Sequence, residues 1–400
     1  MRILRSPSLL PVLFYAASGA GYALANLLLA RWLPERDYAL FTLVLAMMNL
    51  GAPLAAAGLD GVAVRGGLRF VPSVSGRVWL ASGLVALALG VGGATYGLDL
   101  AAVAIIVVSS AAGGATIVAA AEFQRLHRFA LSLTLVQTPN YTLLLAAVVV
   151  MAVGASGAYL PLLVMTGGFL AAAAYAWWLV LRAPQQTGSD AVPWREAFSL
   201  AATGASGSIL GQLDRLIIPY VLPLSALATY GVLSSVAGSL FRVLQRGVGY
   251  ALLPRLRAAG SVAERRRLVV SEARGVAGIA VVGSLAIWVA IPFVERWLLD
   301  DKYHFSAALV LATLLVGCAK ILQAFTRATV TALADARELG LVNLSGWVSL
   351  ALSVAGAAVG ARWGLTGVIY GVGLGWLFRA VTALAITFRH LRPVQQPATL

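Results

Sequence analysis

Runs of about twenty apolar residues, broken by short polar clusters, recur along the whole chain. At about 1.5 Å per residue, one such run makes a helix as long as a ~30 Å hydrocarbon core is thick. Twelve runs are counted, at residues 9–30, 38–59, 78–96, 99–121, 130–152, 159–181, 197–221, 226–253, 275–294, 305–326, 338–360 and 364–388. Strands do not fit this pattern, because a helix satisfies its own backbone hydrogen bonds and a bilayer demands that. The pattern therefore predicts an all-α polytopic membrane protein with about twelve transmembrane helices. The first run is longer than a signal-peptide core and leads into LARWLPERDY rather than a small-residue cleavage site, so it reads as the first membrane helix.

Composition agrees. Of 400 residues, 60% are hydrophobic and only 11% charged, with a mean hydropathy of +0.89. A soluble domain carries roughly 25% charged residues. The single cysteine, Cys318, excludes an internal disulfide and reads as a small core residue.

The positive charge is unevenly placed. Nineteen of the Lys and Arg residues fall at the termini and in the even-numbered loops, against five in the odd-numbered loops: Arg31, Arg36, Arg296, Lys302 and Arg362. The positive-inside rule then places both termini in the cytoplasm, and the bias around the whole chain supports an even number of spans. The net charge of +14 is mostly this bias. The loop RLRAAGSVAERRRL reads as resting on anionic lipid heads, and nucleic-acid binding is a poor reading without a soluble basic surface.

Six spans per half would make the halves parallel repeats, residues 1–195 and 196–400. Faint echoes support this: Leu33-Pro34 matches Leu222-Pro223, and Phe123-Gln124-Arg125 resembles Phe325-Thr326-Arg327.

Charges inside spans are costly, ~2.5–3.5 kcal/mol at mid-bilayer on insertion scales, so they usually face protein or a wet cavity. They are Asp214 and Arg215 in span seven, Arg242 and Arg246 in span eight, Lys320 in span ten and Arg379 in span twelve. Ser235, Ser239, Arg242 and Arg246 share one helical face, as do Lys320, Gln323 and Arg327. Two such cationic stripes suit a cavity that receives an anion. The bland reading is that they snorkel to lipid phosphates. Asp214 and Arg215 point ~100° apart and need partners on other helices. Asp214 is either a structural ion pair or a carboxylate that takes up a proton or Na⁺. Asn26, Asn49, Gln137, Asn140 and Asn343 add polar groups at depth, with Pro53 and Pro139 as distortions. The histidines, His127, His304 and His390, have no metal-ligand spacing, and no catalytic or cofactor motif is present.

The segments ANLLLARWLPERDYALFTLVLAMMNLGAPLAAAGLDGVAVR and GQLDRLIIPYVLPLSALATYGVLSS resemble the O-antigen and capsule polysaccharide flippases of the multidrug/oligosaccharidyl-lipid/polysaccharide exporter superfamily. The residues that carry the resemblance are Leu29-Ala30-Arg31-Trp32-Leu33, Tyr38-Ala39-Leu40-Phe41, Gly58-Leu59-Asp60, Arg65, Leu213-Asp214-Arg215, Tyr230-Gly231 and Pro254-Arg255-Leu256. Ala39 departs from the usual Gly. The resemblance implies two six-helix lobes around a central cavity, working by alternating access in the bacterial inner membrane. The implied substrate is a polyprenyl-pyrophosphate-linked oligosaccharide, with a polysaccharide polymerase and chain-length proteins as partners and no cofactor. Candidate cavity residues are Arg215, Arg242, Arg246, Lys320, Gln323, Asn26, Gln137 and Asn140, with Asp214 for ion coupling. Arginine suits diphosphate oxygens through bidentate hydrogen bonds. A drug–cation antiporter of the same superfamily is the nearest rival, but would want several deep acids. A membrane polymerase or glycosyltransferase would want a larger extramembrane loop.

Overall fold

The computed structural model describes residues 9–66, 68–183 and 188–391; for 9–16, 242–243, 246–255, 257 and 336 it describes the backbone alone. Among the described residues the regular structure is helical: α1 Leu9–Trp32, α2 Glu35–Ala55, α3 Leu59–Val64, α4 Pro72–Ala94, α5 Leu100–Arg125, α6 Phe129–Val136, α7 Thr138–Val153, α8 Tyr159–Arg182, α9 Trp194–Val221, α10 Leu224–Ala258, α11 Val262–Phe293, α12 Ala307–Leu333, α13 Ala336–Gly360 and α14 Gly364–Leu391.

Helix ends are marked by local chemistry. Asp99, Ser261 and Ser306 each accept a backbone N–H in the first turn of α5, α11 and α12, and Asp335 forms a reciprocal capping box with Glu338 at α13. Pro72 opens α4, where its missing N–H costs nothing. Gly154 closes α7 in the left-handed conformation.

By length and hydropathy, eight described segments are long and apolar enough to cross a membrane, and the α6–α7 pair, bent by 51°, makes a ninth. One of the eight, Arg337–Leu391, is 55 residues long. It holds both α13 and α14, enough for two crossings. With α1 and α9 these make the twelve rods expected from the pattern. α9 carries Asp214, Arg215 and many small polar residues, which explains its lower hydropathy. The outer faces are apolar: Leu80, Leu84, Leu87 and Val91 form an exposed stripe along α4. Such a stripe needs a hydrocarbon neighbour.

The chain forms two compact units. One comprises Ala20–Val232 with Leu298–Lys302. Here α5 is the central rod, packed by α2, α3, α4, α6 and α8, and α9 lies on α2 and α3. Its core joins Leu59, Val62, Phe123, Leu135, Trp177 and Ala197. Gly58 begins the short helix α3 at φ +75°, and a Cβ there would lie 2.0 Å from the Ala197 carbonyl oxygen. Both backbone conformation and space therefore require glycine. Arg65 pairs with Glu196 at 2.8 Å just beyond. The segment Leu298–Lys302 docks on the end of α1: Arg31 pairs with Asp300 at 2.7 Å, and Lys302 Nζ donates to the Ala30 carbonyl at 2.8 Å.

The other unit comprises Leu233–Trp297 and Tyr303–Leu400 with Met1–Gly19, over their described parts. Its core is the α12–α14–α13 stack, while α11 touches α12 and α14 only sparsely. α13 and α14 approach backbone to backbone: a Cβ on Gly371 would lie 2.2 Å from Gly356 carbonyl atoms.

Candidate functional site

In the Ala20–Val232 unit, the apolar flow of α9 is interrupted by Asp214 and Arg215, only 5% and 6% exposed. Each finds its partner on a different helix, as their angular separation requires. Arg215 Nη1 donates to the Tyr22 hydroxyl of α1 at 3.3 Å. The Tyr230 hydroxyl of α10 donates to Asp214 Oδ2, and the Arg215 backbone N–H donates to Asp214 Oδ1 at 2.9 Å. Asn26 stands one turn after Tyr22, with its Nδ2 donating to the Tyr22 carbonyl at 2.8 Å. Thus Tyr22 joins Asn26 to Arg215, and Tyr230 holds the acid. The sequence reading placed Asp214, Arg215 and Asn26; it did not assign Tyr22, and it saw Tyr230 only as a motif residue.

Gln137 and Asn140 sit elsewhere in that unit, at the break between α6 and α7. Asn140 Nδ2 donates to Gln137 Oε1 at 2.7 Å. Gln137 is 2% exposed, and its Nε2 has no hydrogen-bond partner among the described residues. Pro139 in the first turn of α7 removes an N–H from the ladder and accounts for the bend.

In the other unit, α12 and α14 build a cation-rich seam. Lys320 Nζ lies 5.5 Å from the centre of the Trp376 ring, within cation–π range. Gln323, Arg327, Thr331, Gln245 and Trp376 line a cavity of about 360 Å³. Arg379, three residues after Trp376 on α14, is 3% exposed. Its charge and that of Arg327 repel each other. Among the described residues neither arginine has a carboxylate partner. Arg379 Nε and Trp376 Nε1 are buried donors without an acceptor among those residues. Arg327 is itself exposed to the cavity, whereas a buried charge such as Arg379, with an idle donor and a like charge nearby, is costly alone and is relieved by an anion.

Lys320 and Gln323 therefore meet Trp376, which the sequence reading missed. Indole residues in spans carry no signal until the neighbouring helix is known. Arg242 and Arg246 lie in α10, but their side chains fall outside those described. Among the described residues no cluster of His, Cys, Asp and Glu could hold a metal ion.

Neither a family model nor a curated protein sequence matches the chain. Solved structures do. An inward-facing multidrug resistance MATE family transporter of the MOP superfamily matches with a TM-score of 0.64 over 94% of this chain and 96% of that one, at 13% identity. Lipid II flippase MurJ, in an inward closed conformation, matches with a TM-score of 0.66 over 94% and 86%, at 11% identity. The fold is that of the MATE and MurJ transporters. A third match, the MATE multidrug transporter DinF-BH solved as a complex with a ligand, has a TM-score of 0.59 over 97% and 95%, at 14% identity. The MATE and MurJ fold thus accommodates this chain over nearly its whole length.

Proposed function

We propose that the chain is a transporter of the bacterial cytoplasmic membrane that flips a polyprenyl-pyrophosphate-linked oligosaccharide for polysaccharide export. The observation that carries this reading is the α12–α14 seam. Lys320, Arg327 and Arg379 gather there beside buried donors that lack acceptors among the described residues. A diphosphate supplies charge and oxygens together, and arginine binds both in a fixed geometry. The likeness to the lipid II flippase is consistent with a lipid-linked cargo. Arg242 and Arg246 complete the cationic wall in this proposal, and Asn26, Gln137 and Asn140 offer hydrogen bonds to sugar hydroxyls. The six-plus-six division at residues 195 and 196, with both termini cytoplasmic and alternating access between the halves, belongs to the same proposal.

The test is reconstitution in liposomes with a fluorescent polyprenyl-diphosphate oligosaccharide, flipping being read by reductive quenching of the outer leaflet. Wild type should flip it, and Arg327→Gln should slow flipping about tenfold or more while folded protein stays at wild-type amount. Equal rates in the two proteins defeat the reading.

A second reading is favoured by one observation, the buried Asp214–Tyr230 pair. A carboxylate that binds a proton or Na⁺ would suit a drug–cation antiporter, and DinF-BH, of the same fold, is a multidrug transporter. Uptake of a cationic fluorescent dye into acid-inside proteoliposomes, lost in Asp214→Asn, would favour that reading over the flippase.

A further inference from the structure

The sparse contact of α11 with α12 and α14 leaves a groove of about 580 Å³ between it and that pair. Its walls are Ala277 and Val281 on α11, Leu322 and Phe325 on α12, and Leu374 and Leu377 on α14. A space so apolar offers water too few hydrogen-bond partners to stay. At bilayer depth only hydrocarbon remains to fill it.

The same face of α11 carries something else at its start. Val270, Arg266, Arg267 and Leu391 line a second cavity of about 440 Å³. The series Arg266, Val270, Ala273, Val276 or Ala277, Ala280 advances by threes and fours, so it forms one continuous stripe. Leu391, which lines the second cavity, and Phe325, which lines the first, belong to a single buried cluster with Val269, packed against Ala273 and Val276, so the two cavities adjoin through it. Neither Arg266 nor Arg267 has a carboxylate partner among the described residues. From Arg266 to Val281 the helix rises ~22 Å at ~1.5 Å per residue. That sets a cationic end and an apolar groove on one helix face, within the span of an acyl chain.

We propose that this face of α11 is a binding site for one anionic phospholipid, its phosphate on Arg266 and Arg267 and one acyl chain in the groove. The lipid supplies packing between α11 and the α12–α14 pair. The assignment does not depend on the cargo, because binding is read without transport.

The experiment uses the full chain in mixed micelles of dioleoyl phosphatidylglycerol and dioleoyl phosphatidylcholine, with retained lipid counted by native mass spectrometry. Wild type should retain phosphatidylglycerol over phosphatidylcholine by about tenfold or more, since each basic residue near a phosphate contributes to the preference. Arg266→Gln with Arg267→Gln, both on the exposed surface, should bring that ratio to about one. Ala277→Phe, which fills the groove, should lower retention of both lipids. Inorganic phosphate should not compete. An unchanged ratio in the double variant, or unchanged retention in Ala277→Phe, overturns the proposal. So does displacement of phosphatidylglycerol by polyprenyl diphosphate at equal concentration, which would assign the site to the cargo.

Discussion

Tyr230, in the second turn of α10, donates a hydrogen bond from its phenolic hydroxyl to the carboxylate of Asp214 on the preceding helix. The acid is 5% exposed and takes a further bond from the Arg215 backbone N–H. Removing a donor from a buried carboxylate leaves it poorly compensated, at a cost of about 1–3 kcal/mol. Tyr230→Phe keeps the ring and loses only the hydroxyl, so its melting temperature in detergent should fall. Asp214→Asn should cost less, because a neutral amide is cheaper to bury, yet it should abolish any dependence of transport on a proton or Na⁺ gradient. A Tyr230→Phe protein as stable as wild type would show that this bond contributes nothing.

Arg379 presents the opposite balance. It is buried beside Arg327, without a carboxylate partner among the described residues. Replacing a buried charge that has no compensating partner by an apolar residue removes its desolvation cost. Arg379→Met should therefore raise the melting temperature while lowering transport. Stability gained as activity is lost marks a functional group. Loss of both together would make Arg379 structural.

The α13–α14 contact gives a paired test. Gly371→Ala places a methyl 2.2 Å from Gly356 carbonyl atoms, and overpacking of that kind costs about 1–3 kcal/mol. Gly340→Ala, elsewhere on α13, meets nothing within 4 Å and should be neutral or stabilising by up to about 1 kcal/mol through helix propensity. Thermal shift assays on both variants should move in opposite directions. A shared direction would refute the close approach.

Asp99 links two elements of the Ala20–Val232 unit. It caps α5 through the Ala102 N–H at 2.9 Å and accepts the Tyr159 hydroxyl at the start of α8 at 2.5 Å. The Tyr159 hydrogen bond, then the Ala102 N–H, hold its carboxyl below the ordinary value of 3.8. A depressed folded value means that the unfolded chain takes up the proton first on acidification. The stabilisation is complete above about 3.8 and is lost as pH falls through the lower folded value. Melting temperature against pH should show that acid decline in wild type, and Asp99→Asn should flatten it. Identical acid limbs would remove Asp99 from the account.

Much of the helical plan was legible because bilayer thickness imposes its length on the hydropathy pattern. The edges were less so. The third and ninth runs began at residues 78 and 275, whereas α4 starts at Pro72 and α11 at Val262. There the helix continues into water, where hydropathy no longer registers it. Span five read as one run, and Pro139 flagged a distortion without its size. α3, Leu59–Val64, starts where the second run ends and is too short for periodicity to show. Adjacent Asp214 and Arg215 announced that each needed another helix. Which hydroxyls would answer, Tyr22 and Tyr230, depends on rods more than a hundred positions apart in one case. Likewise, Lys320 and Arg379 were both visible as charges, but the juxtaposition of α12 with α14 is a tertiary fact.

Where α13 and α14 meet at Gly356 and Gly371, main chain rests on main chain. No rotamer can give way there, so the hairpin behaves as a girder that carries displacement instead of absorbing it. Within that unit, deformation falls to the seam where α11 meets α12 and α14 across a groove, the compliant joint of the frame.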